Sequence, residues 1–415
     1  MNDAAGAVIN GQARREHERW LLELTGIPTA AGREHRVVAW IARWLAERDD
    51  LQLRTDRAGN MEIAHTEAPD PTERPPLYIT AHLDHPAFVV EQIVGPGTVR
   101  LSFRGGVLDP YFVNAPIQII TQDDRVVRAT LLEAGPASPH RDCLAELDDD
   151  GSTDGIAVGD IGRWENPEAR VTDDGILETH ACDDLAAVAA ALGAMDVLRG
   201  HESARHVRLL FTRAEEVGFI GAIAAMREGW IDKASRLVLL ENSRAFAESP
   251  IDGGPIVRVG DRMSTFSPEL TSAFAKVAED IAKQREGSGD AFRWQRKLMP
   301  GGACEATVFQ AWGYEATCLC LPLGNYHNMA NLAEVQAKEP DAVASARCGP
   351  EQIALSDFHG LVDLLVGAGL HLAEVPPMIE RLEKLYEERK GVLEDLGTDG
   401  GVDTEGAAWG LTRGA

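Results

Sequence analysis

The chain has 415 residues and a formal net charge of −26, from 66 acidic and 40 basic side chains. Hydrophobic residues make up 44% and charged residues 26% of the sequence, which is ordinary for a globular protein. The negative charge excludes nucleic acid and anionic membrane as partners, because neither is attracted to an acidic surface. The length predicts two or three domains and a large core.

No apolar run approaches the length of a membrane span, and residues 1–10 lack the basic and apolar regions of a secretory signal. We therefore expect a cytoplasmic protein. None of the six cysteines shows CxxC spacing, and Cys318 and Cys320 lie inside an apolar run. We interpret the cysteines as small, buried hydrophobic side chains.

The N-terminal region predicts two helices followed by a hairpin. Apolar residues recur at helical spacing over residues 14–24 and 34–48, with a Gly-Ile-Pro break between them. Residues 51–54 and 60–64 read as strands on either side of a turn.

An apolar run at residues 77–83 predicts a buried strand, and it leads into His82-Leu83-Asp84. The period of two along a strand places His82 and Asp84 on the same side. A histidine beside a carboxylate suits a metal site, because ligating imidazoles need an acceptor that fixes their tautomer. Taken alone, the motif fits an ordinary strand end at least as well.

After Pro86, short alternating segments replace the helical periods. Strands are predicted at residues 87–93, 98–103, 117–120 and 126–130, divided by turns rich in Gly, Pro and Asp. Their rhythm predicts a small β-barrel or sandwich inserted between two parts of an α/β domain.

The α/β alternation resumes after the insertion. Asp183-Asp184 open an Ala-rich predicted helix. Strands are then predicted at residues 207–212, 236–240 and 316–321. The fold class is therefore α/β.

Three domains follow from this order of elements. Residues 1–86 and 174–375 form a discontinuous α/β domain, and residues 87–173 form the inserted β-domain. Residues 376–415 form a C-terminal extension, with one charged amphipathic helix at 378–396 and a Gly-rich tail.

Seven polar residues stand at predicted strand ends or helix starts. Open α/β sheets place their sites at the carboxyl ends of strands, so these residues are expected to converge in one crevice. Two imidazoles and several carboxylates suit Zn²⁺, with Co²⁺ or Mn²⁺ as alternatives, and two ions are possible if one carboxylate bridges them. The seven residues are His82, Asp84, Asp183, Glu215, Glu216, Glu241 and His327.

Each of these groups also has a simpler interpretation. Glu215-Glu216 taken alone reads as a solvated surface pair, because neighbouring carboxylates repel each other. An acidic pair before a helix reads as capping, and a single His or Glu reads as a buried histidine or a loop carboxylate. The metal-site interpretation depends on their common position at strand ends, where one Glu can bind metal while the other accepts a proton.

The ordered motifs resemble those of the M42 family of dinuclear metallo-aminopeptidases, relatives of the M20 and M28 peptidases. The matching segments are ITAHLDHPAFVV, LETHACDDLAAVAAA, LFTRAEEVGFIGA, LVLLENSRAF and LPLGNYHNM. The resemblance extends over nearly the whole chain to about residue 372. It implies a mixed-sheet, three-layer metallopeptidase catalytic domain with an inserted, small β-barrel-like domain.

The resemblance also implies a role for each residue. Asp183 would bridge two divalent metal ions, with His82 and Glu241 on one ion. Glu216 and His327 would bind the other ion.

The same resemblance makes Glu215 the general base that activates a metal-bridging water. It makes Asp84 the carboxylate that orients His82.

Several residues depart from the family pattern. Glu241 stands where the family commonly has Asp, and Glu305 also replaces a usual Asp. His85 replaces a usual Glu, and the segment before Tyr326 lacks the usual Arg. These departures affect the expected substrate pocket more than the expected ligand set.

We therefore predict a two-metal aminopeptidase that removes N-terminal residues from short peptides with a free N-terminus. The alternatives are an M20-like carboxypeptidase or amide deacylase on the same metal site, and a non-catalytic peptide-binding or assembly homologue. The resemblance implies a homo-oligomer.

Overall fold

The structure, a computed structural model, describes residues 9–137, 139–148, 152–289, 291–372 and 375–395. The chain divides into two compact units, Met1–Leu372 and Ala373–Ala415. Among the described residues, no helix has both the length and the apolar character needed to cross a membrane.

Helices and strands alternate through most of the first unit. In chain order, helices α1 to α11 are Gly11–Thr25, His35–Ala46, Leu185–Leu198, Ile220–Glu228, Pro268–Gln284, Ala306–Ala311, Leu332–Gln336, Pro340–Ala344, Leu355–His371, Met378–Arg389 and Gly391–Asp395. Strands β1 to β17 are Leu51–Thr55, Met61–His65, Leu77–His82, Ala87–Gly95, Thr98–Arg104, Pro116–Ile120, Val126–Ala137, Arg141–Leu147, Ile161–Trp164, Arg170–Val171, Ile176–Thr179, Val207–Thr212, Arg236–Arg244, Ile256–Gly260, Gln295–Leu298, Glu315–Leu323 and Glu351–Ala354.

Eight strands form the central sheet in the order β1-β2-β12-β3-β13-β16-β14-β15. Strands β12, β3, β13 and β16 are parallel neighbours, whereas β2 and β14 pair antiparallel to them. The four parallel strands therefore have their carboxyl ends at one edge of the sheet. The predicted mixed sheet is confirmed.

Helices cover both faces of the sheet and form a three-layer arrangement. On one face, Tyr78 and Leu239 pack with Ala222 of α4 and Phe309 of α6. On the other face, α3 packs against β3 and against helices α1 and α9. Leu185 and the ten residues after it are all buried, because α3 has neighbours on every side.

The inserted strands form a closed barrel in the order β4-β5-β8-β7-β6-β9. Four aromatic rings fill its centre, where Trp164 lies 4.9 Å from Phe88, 5.6 Å from Phe103 and 5.2 Å from Phe112 between ring centroids. The barrel is the first of the two predicted alternatives. Strands β8 and β9 extend it beyond the predicted set.

The segment after β16 completes the barrel core. Met329, Leu332 and Val335 are buried in the same apolar cluster as Trp164. The barrel interior thus contains side chains that come from much later in the sequence.

A small sheet of β10, β11 and β17 was not predicted. Its strands are only two to four residues long, which is too short for a clear alternation. Strand β17 pairs antiparallel to β11, which leads directly to the segment before α3. This pairing brings Glu351 close to Asp183.

The second unit, taken by itself, contains α10 and α11. The single predicted helix at 378–396 is interrupted at Lys390, directly before Gly391, a residue that disfavours helix interiors. The predicted Gly-rich tail lies outside the described residues. The predicted domain boundaries stay predictions.

Candidate metal centre

The seven predicted site residues converge at the carboxyl edge of the parallel strands. His82 is the last residue of β3, and Glu215 and Glu216 follow β12. Glu241 lies inside β13 rather than after it, paired with Cys320 of β16. Asp183 precedes α3, Asp84 follows β3, and His327 lies in a short turn after β16.

Asp183 lies between the two imidazoles. Its Oδ1 is 3.4 Å from His82 Nε2, and its Oδ2 is 3.4 Å from His327 Nε2. Each imidazole also faces further carboxylates. Glu241 Oε1 lies 4.0 Å from His82 Nε2, and Glu216 Oε1 lies 3.3 Å from His327 Nε2.

The chemistry of these atoms fits divalent ions. His82 Nε2 and Asp183 Oδ1 are buried and have no hydrogen-bond partner. His327 Nδ1 donates to the Gly106 carbonyl at 2.6 Å, so Nε2, which faces the carboxylates, is the nitrogen that would bind an ion. Ligand atoms 3.3 to 4.0 Å apart can share one ion, because each bond to zinc is about 2.0–2.2 Å.

Three groups of side chains can each hold an ion, with their ligand atoms within 4.8 Å of one another. The groups overlap, because His82, Asp183 and Glu216 each belong to two of them. The groups are His82 with Asp183, Asp184 and Glu241; His82 with Glu215 and Glu216; and Asp183 with Glu216 and His327.

Buried charges shift the pKa of the cluster. Burial lowers the pKa of His82 and His327, but the carboxylates around them outweigh it and hold both well above the usual range. Burial raises the pKa of Asp183, yet the two imidazoles beside it produce a net decrease. Burial raises the pKa of Glu215 and Glu241. The cluster has more acidic groups than nearby cations, and divalent ions would neutralise this excess of negative charge.

A sequence model of the M42 glutamyl aminopeptidase family matches residues 62–340 of the chain. The chain belongs to this family. Membership confirms the predicted class, a metallo-aminopeptidase, and the resemblance on which that prediction relied. No curated protein sequence matches the chain significantly.

Solved structures show the same fold at low sequence identity. Aminopeptidase APDkam598 of Desulfurococcus kamchatkensis is 20% identical, with a TM-score of 0.65, over 87% of this chain and 96% of its own. A TET aminopeptidase from a marine sediment Thaumarchaeota archaeon is 18% identical, with a TM-score of 0.65, over 85% and 96%. The Pyrococcus horikoshii TET1 peptidase is 18% identical, with a TM-score of 0.63, over 86% and 99%.

In this M42 protein, three buried carboxylates hold the backbone of the cluster. Asp84 accepts from the backbone N–H groups of Glu215 at 2.9 Å and Glu216 at 3.1 Å. Its own carbonyl lies 3.1 Å from His82 Nδ1, nearer than its carboxylate at 3.6 Å. The main contacts of the Asp84 carboxylate are therefore with the Glu pair, and its carbonyl faces His82.

Asp184 and Glu351 act in the same way. Asp184 accepts from the backbone N–H of His82 at 3.1 Å and from Asn242 Nδ2 at 2.8 Å. Glu351 accepts from the backbone N–H groups of Asp183 at 3.0 Å and His327 at 2.8 Å. Each carboxylate thus joins two segments that carry predicted ligands.

The structure differs from the simpler interpretations of Glu215, Asp184 and Glu241. Glu215 is 8% exposed, so it is not a surface residue, and Asp184 makes no side-chain capping bond to α3. Glu241 belongs to a strand and is not a loop carboxylate. His82 ends a strand, but its Nε2 has no partner other than the carboxylates.

Two departures from the M42 pattern lie behind the cluster. His85 is buried, with Nδ1 bonded to the Asp183 carbonyl and Nε2 3.0 Å from Asn328 Oδ1, so it does not line the cavity described next. Glu305 accepts from Thr212 Oγ1 at 2.7 Å, and burial raises its pKa to about 7. Both residues therefore support the site from within the protein.

A cavity of 910 Å³ opens onto the cluster, and we call it the active-site cavity. Arg244, Arg258 and Arg262 line it. Arg258 is 3% exposed, and its Nη1 donates to Ser243 Oγ at 3.1 Å. Among the described residues, no carboxylate lies within salt-bridge distance of the Arg258 guanidinium.

Sequence reasoning missed Glu351 and Arg258. Glu351 is a single acid in a short strand, and its role depends on the pairing of β17 with β11. Arg258 lies in β14, a five-residue strand that was not predicted. The only available signal was an arginine inside an otherwise apolar IVRVG segment.

Proposed function

We propose that this protein is a two-metal aminopeptidase that removes the N-terminal residue from short peptides. One observation carries the proposal: the two oxygens of Asp183 face two different imidazoles at the same distance, 3.4 Å. A carboxylate in that position suits a bridge between two ions. Family membership supports the aminopeptidase class.

We assign His82 and Glu241 to one ion, and Glu216 and His327 to the other, with Asp183 shared. Nitrogen and oxygen donors without thiolates favour Zn²⁺, with Co²⁺ or Mn²⁺ as alternatives. Two such ions, when bound, would acidify a water molecule and polarise the carbonyl of the cleaved bond.

Glu215 is assigned as the general base. Its carboxylate lines the active-site cavity, 3.9 Å from His82 Nε2, and its backbone is held by Asp84. From this position it accepts a proton from the attacking water and returns it to the leaving amine. Burial raises the pKa of Glu215, and cations bound nearby would favour its ionised, basic form.

The arginines of the cavity indicate the substrate side chain. Arg258 is buried, charged and without a carboxylate partner among the described residues, a state that a substrate carboxylate would stabilise. We propose that the enzyme prefers peptides that begin with Glu or Asp. Arg258→Gln is expected to lower kcat/KM for a glutamyl substrate relative to a leucyl substrate by about tenfold or more. An unchanged ratio would contradict this preference.

The same arginines support a second candidate, a carboxypeptidase or deacylase, because a guanidinium also binds a C-terminal carboxylate. A panel of matched peptides separates the two functions. The metal-reconstituted enzyme is incubated with free and N-acetylated peptides, and the products are identified by mass spectrometry. We expect shortening from the free N-terminus only, with two bound ions per chain by elemental analysis.

The opposite results are also informative. Cleavage of the acetylated peptides from the C-terminus would establish the second candidate. Full metal binding without any cleavage would indicate a non-catalytic homologue.

We further propose that the protein is a homo-oligomer. The P. horikoshii TET1 peptidase assembles into a tetrahedron or a large octahedral shell. Light scattering of the purified protein measures the mass of the particle, and a monomer would contradict the proposal.

A further inference from the structure

A second cavity lies beside the active-site cavity, and we call it the apolar groove. Its volume is 760 Å³, and its walls are the segment after β5 and the helices α7 and α8. Only Asp109 and Lys338 carry charge among its lining residues, and Asp109 is paired with Arg141. The apolar lining includes Leu108, Pro110, Val335, Pro340, Val343 and Ala344.

The apolar groove adjoins the active-site cavity, because the two share part of their walls. Val107, Leu108 and Gln336 line both. Val107 directly follows Gly106, whose carbonyl accepts the hydrogen bond from His327 Nδ1. The groove therefore begins one residue from a contact with the candidate metal centre.

The barrel core fixes the inner part of the groove wall. Val107 is 9% exposed and Val335 is 4% exposed, because both pack in the apolar cluster that fills the barrel. Leu108 is 37% exposed at the junction of the two cavities. A groove with fixed walls loses little conformational entropy when it binds a ligand.

We propose that the apolar groove binds the part of a peptide substrate that follows the cleaved bond, and that it selects apolar side chains there. The inference rests on the proposed aminopeptidase function. An aminopeptidase holds the first residue of its substrate at the metal centre, so the remaining chain has to continue along a neighbouring surface. An extended peptide rises about 3.3 Å per residue, which places the second and third residues after the cleaved bond about 7–10 Å away.

Three substrates with the same first residue test the proposal. One is the amino-acid anilide that the wild-type enzyme cleaves best, which has no downstream residues. The others are tetrapeptides with Leu or Ser at the third position. We expect a KM about tenfold lower for the Leu peptide, with kcat within about twofold, because burial of the leucine side chain adds binding energy that does not change along the reaction.

Ala344→Glu places a charge in the groove at an exposed position of α8 and removes no core contact. It is expected to abolish the difference between the peptides and to leave the anilide kinetics unchanged. Ala333→Glu in α7 is the matched control, because Ala333 is also exposed but lines neither cavity. The control is expected to keep the tenfold difference.

Two results would overturn the inference while leaving the aminopeptidase function intact: equal KM values for the two peptides, or a selectivity that Ala344→Glu does not change. If Ala344→Glu alters only the particle mass in light scattering, the groove is a contact with a second copy of the chain and the proposal is wrong. If the metal-loaded enzyme cleaves none of the three substrates, the proposed function fails, and this inference fails with it.

Discussion

The position of the Asp183 carboxylate between two imidazoles is the central feature of this site. Its two oxygens face imidazoles that lie far apart in the sequence, while Glu351 fixes its backbone N–H. The proposed bridging role would therefore need no movement of this side chain. The pKa of Asp183 is lowered in this position, which keeps it ionised and ready to bind cations at neutral pH.

Glu215→Gln tests the assignment of the base. Glutamine fills the same volume but cannot accept the proton, so turnover is expected to fall by about 10²–10⁴. Bound metal should stay at the wild-type level, because Glu215 is not among the assigned ligands. Glu228→Gln, at an exposed position of α4, serves as control. Normal turnover in a fully metal-loaded Glu215→Gln variant would show that another group is the base.

Glu351→Gln tests a residue that touches neither substrate nor the expected ions. An amide has one acceptor oxygen, so one of the two N–H groups, on Asp183 or His327, would face an NH₂ group instead. We expect a 10–100-fold loss of metal affinity, measured by competition with a chelator, with little change in kcat at saturating metal. The control is Glu339→Gln, at an exposed position before α8. Equal metal affinities for wild type and Glu351→Gln would contradict a positioning role.

The difference between the predicted and the missed residues has a physical cause. His82, Glu215 and Glu216 act through side chains at strand ends, and a strand end is visible as an apolar run that stops. Asp184 and Glu351 act through backbone N–H groups of distant residues, and no local pattern records such a contact. The family resemblance supplied the roles, including that of Asp84, and geometry alone supplied Asp184 and Glu351 as supporting carboxylates.

At the scale of elements, the parallel strands of the central sheet were predicted, whereas several short strands, among them β9, β14 and β15, were not. Strands β3, β12 and β16 consist mostly of apolar residues, and nearly all of their residues are buried. Strand β15 reads Gln-Arg-Lys-Leu and lies at the edge of the sheet, where alternation is not required. Glu241 lies inside its strand because the pairing of β13 with β16 continues to Arg244.

The aromatic cluster is expected to determine the stability of the barrel. Trp164→Ala would leave a large void among Phe88, Phe103 and Phe112, and is expected to lower the free energy of unfolding by about 3–5 kcal/mol. Trp312→Ala is the control, because Trp312 is 39% exposed. Chemical denaturation compares the two variants. A similar decrease in the free energy of unfolding in both variants would show that the barrel cluster contributes no more to stability than an exposed tryptophan.

At the scale of the molecule, a buried histidine predicts acid sensitivity. His206 is 3% exposed, and burial together with Arg74 and Arg236 lowers its pKa to about 4. Below pH 6.5 the unfolded chain binds a proton that the folded protein resists, so stability is lost as the pH falls from 6.5 towards 4. The difference between pH 7 and pH 5 amounts to about 2 kcal/mol.

His206→Gln should therefore show a smaller decrease in melting temperature between pH 7 and pH 5 than the wild type. His201→Gln, at a half-exposed position in the same loop, should behave like the wild type. If the melting temperature decreased equally between pH 7 and pH 5 in all three proteins, His206 would not contribute to the acid sensitivity.

The order in which the chain can fold follows from the late position of residues that fill the barrel core. Met329, Leu332 and Val335 enter the barrel, and His327 just before them completes the metal cluster. Neither structure can be finished until the ribosome has synthesised this segment, and Glu351 emerges later still. We expect ribosome-bound chains that end before residue 327 to bind metal weakly and to remain sensitive to added protease. The chain is therefore expected to lack peptidase activity until residues 327–335 have been synthesised. A chain in which the barrel does not close is also expected to be inactive.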